Sequence, residues 1–107
     1  MLFAVKLYKI DCDIIIDHKD PQNPCKTNPR YRLSLNNFFL IERNVDWDID
    51  NLGCSEINVV ELVQGPQFLK LENLNKDFQL KLRSLRLNDV EMDYKQTGQD
   101  VFRFDIE

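Results

Sequence analysis

The chain has 107 residues, with 14 Lys+Arg against 18 Asp+Glu and a formal net charge of -4. That length predicts a single domain over residues 1–107. A hydrophobic fraction of 43% excludes a mainly disordered chain, and no apolar run approaches the roughly 18 residues of a membrane-crossing helix. The acidic balance disfavours nucleic-acid backbones and anionic membrane surfaces, both of which call for clustered Lys and Arg. A basic protein partner is the favoured charged partner. The three cysteines, Cys12, Cys25 and Cys54, are odd in number and irregularly spaced, which is a poor disulfide framework. The first residues also lack a basic segment followed by a long apolar one. Together these features predict a reduced, cytoplasmic protein.

From Leu2 to about Asp17 the chain alternates as a strand should. Phe3, Val5 and Leu7 are odd, whereas Tyr8, Ile10, Cys12, Ile14 and Ile16 are even. The parity switch at Leu7-Tyr8 predicts a bulge or a change of buried face. Lys9, Asp11 and Asp13 share the polar face of the second half. His18 to Pro29 reads as a loop, because it holds three of the four prolines.

Residues 30–49 give the longest alternation, with Tyr31, Leu33, Leu35, Phe39, Ile41, Val45, Trp47 and Ile49 on one face. About 20 residues exceeds the usual length of a strand, so Asn36-Asn37 is read as a two-residue hairpin turn joining two elements. Asn51-Leu52-Gly53 is a turn. Residues 56–64 are rich in β-branched residues and read as a strand; a short helix starting at Ser55 is the alternative.

The last 40 residues read as a meander. Phe68 to Leu71 is one strand. Phe78, Leu80 and Leu82 alternate in a second. Val90, Met92 and Tyr94 pair with Phe102, Phe104 and Ile106 in a final hairpin closed by residues 95–100. The whole predicts an all-β antiparallel sandwich or partly open barrel of about seven strands. The alternative is an α+β fold with one short helix on an antiparallel sheet.

Asp46-Trp47-Asp48-Ile49-Asp50 begins as calcium loops begin, with carboxylates at alternate positions. The match fails where the sharp turn needs Gly and Asn51 stands, and where a bidentate Glu is needed and Ile57 stands. The acids are better read as a strand face whose mutual repulsion a basic partner would relieve, with Trp47 beside them as an anchor. Glu91 and Asp93, near Asp89, Asp105 and Glu107, form a second acidic row, and Asp11 and Asp13 a third.

No Cys-x-x-Cys or paired His suggests a metal site, and His18 is the only histidine any nucleophilic arrangement can use. The three glycines form no phosphate loop, and nothing in the chain suggests a small-molecule substrate. Lys81, Arg83 and Arg86, with Lys70, make a basic stripe that a nucleic-acid-binding barrel would use.

The expected function is therefore non-catalytic, without metal or cofactor. It is a small acidic binding module of the inhibitor or immunity type that occludes the basic cleft of a toxin or nuclease domain through Asp46, Trp47, Asp48, Asp50, Glu91 and Asp93. A structural or assembly β domain of a virion or secretion machine is the first alternative, and a nucleic-acid-binding barrel the second. The charge is clustered. Residues 42–56 hold five acids against one base, and residues 88–107 hold six against two.

Overall fold

The computed structural model describes residues 4–20, 22, 27–45 and 53–107. Among them are nine strands and no helix. They are β1 (Lys6–His18), β2 (Arg30–Leu35), β3 (Phe38–Asn44), β4 (Gly53–Leu62), β5 (Gly65–Asn73), β6 (Phe78–Leu87), β7 (Val90–Glu91), β8 (Lys95–Gln96) and β9 (Val101–Ile106). Seven are long and two have only two residues each. They form two antiparallel sheets packed as an open sandwich, ordered β4-β1-β6-β7 and β3-β2-β5-β9-β8. The barrel alternative falls away because the strands form two separate sheets, and the α+β alternative because residues 56–62 belong to β4.

The core follows the even row of β1. Ile10, Cys12, Ile14 and Ile16 are buried against Tyr31, Leu33 and Leu35 of β2, Leu69 and Leu71 of β5, Phe78, Leu82 and Leu85 of β6, and Phe102 and Phe104 of β9. Each buried Leu, Ile or Phe contributes roughly 1.5–3 kcal/mol of transfer free energy. The parity switch at Leu7-Tyr8 is not a bulge. The β1–β4 register runs unbroken from Lys6↔Leu62 to Ile15↔Gly53, and Val5 and Leu7 point into solvent, 58% and 66% exposed. The bulge lies further along, between Asp13 and Ile14 where β1 meets β6, and Arg83 is the extra residue.

Asn36 and Asn37 both hold positive φ, 51° and 70°, and close the β2–β3 hairpin as a two-residue turn. Such turns demand left-handed backbone at both positions, which Asn tolerates better than most residues. Asn88 and Asp89 do the same between β6 and β7, with φ of 49° and 66°. This second turn corrects the expected meander. It folds Val90–Glu91 back onto β6, after which residues 92–94 cross to the other sheet and only Lys95–Gln96 remain to pair with β9. The final hairpin is real but short. At Gly65, φ of +116° opens β5 directly after β4, and the Gln67 side chain donates to the Val63 carbonyl at 2.7 Å to hold the corner. Phe78 is fully buried, as its alternation predicts, but Phe68 is 41% exposed.

Candidate partner-binding surface

Asp46, Trp47, Asp48 and Asp50 lie outside the described residues, as does Cys25. Glu91 and Asp93 are placed and exposed. Glu91 is on β7 opposite Arg86, and Asp93 is in the crossing between sheets, where it lines a shallow surface with Tyr94, Lys95, Thr97, Arg103 and Asp105. Neither belongs to an ion pair among the described residues.

Most other strand acids do belong to one. On the outer face of the first sheet, Arg86 reaches both Asp11 and Asp13, the latter at 3.2 Å. Ser55 donates to Asp13 Oδ1 at 2.6 Å and Ser84 to Oδ2 at 2.9 Å. The Ser55 hydrogen bond, followed by those of Arg86 and Ser84, holds the Asp13 carboxyl down at about 2. The third acidic row is thus a hydrogen-bonded network in which one arginine is shared by two carboxylates, with Ile57 opposite Asp11. Asp89 pairs with Lys9, and Asp105 with Arg103 at 3.1 Å. The same contacts divide the basic stripe. Arg86 is held by two carboxylates, and Lys70 lies on the other sheet against Glu72 at 3.3 Å, leaving Lys81 and Arg83 on β6.

One buried polar cluster escapes the sequence reading. Glu56 is 3% exposed and faces into the sandwich from β4. Tyr31 donates to its Oε1 at 2.7 Å, and Arg43 from β3 grips both oxygens at 2.6 and 3.0 Å. Burial, and then the hydrogen bond to that carboxylate, push the Tyr31 hydroxyl far up, and the same carboxylate raises Arg43. The cluster joins the two sheets at one flank.

Beside it, Leu35, Phe38, Leu40, Val60 and Leu62 line a groove of about 320 Å³ between the β2–β3 hairpin and β4. Phe38 and Phe39 are 75% and 62% exposed, and Ile57 and Val59 of β4 are 64% and 70% exposed. Phe39 is thus exposed, although it shares the apolar row of the alternation in residues 30–49.

Burial, reinforced by Glu56, Asp11 and Asp13, pushes the Cys12 thiol up to about 12, so it is not a thiolate at neutral pH. The His18 ring packs against Phe78 at a tilt of 38°, with centroids 4.9 Å apart. No group of three or more His, Cys, Asp or Glu among the described residues is arranged to hold a metal ion. Compared with known proteins, the chain matches no family model, no curated protein and no solved structure.

Proposed function

We propose that the protein is a non-catalytic binding module for a basic protein partner. In its concrete form it is an inhibitor or immunity-type protein that covers the basic cleft of a toxin or nuclease domain. One observation carries this reading. Asp11, Asp13, Glu42 and Glu56 are all engaged by arginines, whereas Glu91 and Asp93 are exposed and enter none of the ion pairs among the described residues. Carboxylates left in solvent steer a basic partner and can stand where phosphates would in its cleft. The inert Cys12 thiol supports a role without covalent chemistry. The free cysteines Cys12 and Cys54 suit the cytoplasm, where this reading places the protein.

The test is affinity capture from the native lysate at low salt, with a Glu91→Lys/Asp93→Lys variant beside the wild type. The expected result is a basic protein held by the wild type, lost on the variant and lost in high salt. Capture of no basic protein, or capture indifferent to the double reversal, sinks the reading.

A second reading, a structural or assembly domain, is favoured by one specific feature. The ten-residue strand β4 ends its sheet with its outer edge unpaired among the described residues.

A further inference from the structure

Four strands end the two sheets: β4 and β7 in one, β3 and β8 in the other. An exposed edge is a template for another strand, and proteins blunt it by shortness, charge, proline or bulges. β7 and β8 have two residues each. β3 is bulged at Leu40, where its register against β2 shifts, and it carries Glu42 and Arg43. β4 is the least protected of the four: its only charges are Glu56, which is turned inward onto Arg43, and Glu61 near its end. It is ten residues long, contains no Lys, Arg or Pro, and keeps one register against β1 throughout.

The outward row of β4 is Gly53, Ser55, Ile57, Val59 and Glu61, with Ile57 and Val59 most of the way into solvent. Two copies of this row can meet antiparallel about a two-fold axis, and only registers that place outward residues opposite outward residues preserve the pleat. With the axis at Asn58, Ile57 faces the second copy's Val59 and Val59 faces its Ile57. Glu61 then falls opposite Ser55, so no two carboxylates confront each other. On the inward row, Asn58 meets its own equivalent, Cys54 meets Leu62, and Glu56 meets Val60. Moving the axis to Ile57 sets Val59 against Ser55; moving it to Val59 sets Ile57 against Glu61. Only the Asn58 register matches both apolar residues with apolar residues. The groove lined by Phe38, Leu40, Val60 and Leu62 runs along the same flank and continues the apolar surface.

We propose that β4 pairs with β4 of a second copy in the register centred on Asn58, joining two four-stranded sheets into one continuous sheet of eight. The proposal rests on the assembly reading and names its partner: the chain itself. Backbone hydrogen bonds supply the attraction, and the two Ile57–Val59 pairs supply the register.

Sedimentation velocity over a range of concentrations tests it, together with two variants. Val59→Lys changes an exposed side chain, so the fold persists, but it sets a charge against Ile57 of the second copy. The dimer dissociation constant should rise at least about tenfold. Val90→Lys, at the equally exposed β7, should leave it unchanged. Asn58→Cys, with Cys25→Ser and Cys54→Ser, should cross-link the wild-type register on mild oxidation, since directly opposed Cβ atoms lie within disulfide reach. A dimer that ignores Val59→Lys and does not cross-link through residue 58 overturns this register while leaving the assembly reading intact. A chain that stays monomeric at every concentration overturns both.

Discussion

β3 and β4 run along the same flank of the sandwich, one at the edge of each sheet, and they treat that position in opposite ways. β3 keeps its charges on its surface. Glu42 holds Arg30 at 3.1 Å and Arg32 at 2.7 Å, and the bulge at Leu40 bends the strand's exposed side. β4 turns its central carboxylate inward, where Glu56 takes Arg43 and Tyr31, and shows Ile57 and Val59 to solvent instead. The Glu56–Arg43 pair ties the two strands together, but the edge of β3 is guarded by charge and a bulge, whereas that of β4 is left with Glu61 alone. The same residue type, Glu, does opposite work in the two places because of burial. A carboxylate in solvent repels an incoming strand at little cost to stability, whereas a buried one must be fully paired and then ties elements together.

The sharpest way to break this contrast is to remove the anchor. Glu56→Ala leaves the fully buried Tyr31 hydroxyl without its acceptor, while Arg43, 45% exposed, can turn to water. The expected loss is about 2–3 kcal/mol in urea unfolding, with Glu56→Gln recovering part of it by accepting the Tyr31 hydrogen bond. Equal losses for Ala and Gln would mean that the charge on Glu56, not its hydrogen bond to Tyr31, is what matters.

The start of β4 comes next. A Cβ on Gly53 would lie 2.5 Å from the Ile14 carbonyl oxygen of β1, and that oxygen belongs to backbone that cannot swing away. Gly53→Ala should cost about 1–3 kcal/mol. At Gly98 the nearest atoms would be 3.7 Å away, so Gly98→Ala is the control and should fall within about 0.5 kcal/mol of wild type.

The outer face of the β4 sheet adds a pH signature. Asp13 is held at about 2 against an ordinary value of 3.8, chiefly by Ser55 of β4. Its folded-state pKa is depressed, so its contribution is fully present above 3.8 and disappears as pH falls through 2. The carboxyl is partly exposed, and solvent screening reduces the effect to about 1–2 kcal/mol. Asp13→Asn should remove that part of the acid destabilisation, seen as a flatter stability profile between pH 4 and 2. An unchanged profile would assign the acid sensitivity to other carboxylates.

How much of this was legible in the sequence depends on the range over which each feature is decided. Alternation in β1, β2 and β6 located the core, because one face of each strand is solvated and the period of two survives. Asn36-Asn37 was readable as a turn because the two residues interrupt a long alternation and both tolerate left-handed backbone. Asn88-Asp89 has the same chemistry, but Val90, Met92 and Tyr94 carry the alternation across a change of sheet, which period alone does not register. β4 was readable as a strand but not by face. Ile57 and Val59 advertise burial, and Glu56 advertises exposure. The reversal depends on Tyr31 and Arg43, which are 25 and 13 residues distant. Charge sums failed for the same reason. Asp89 counts toward an acidic tail along the chain, yet folds against Lys9, and Asp11 and Asp13 meet Arg86.

The smallest expected effect tests the guarded edge itself. Glu42→Gln removes the carboxylate that Arg30 and Arg32 share, whose pairing lowers its pKa. All three groups sit in solvent, where long side chains lose rotamer freedom on pairing and salt screens the gain. The urea midpoint should therefore match wild type within measurement error. Association through β3 should not appear either. Arg30 and Arg32 remain beside the edge as positive charges, Arg43 stays tied to Glu56, and the Leu40 bulge still denies a second strand a continuous register. New concentration-dependent association in Glu42→Gln at high salt would show that the carboxylate alone kept β3 closed. It would also make the difference between the two edges a matter of one charge rather than of backbone shape.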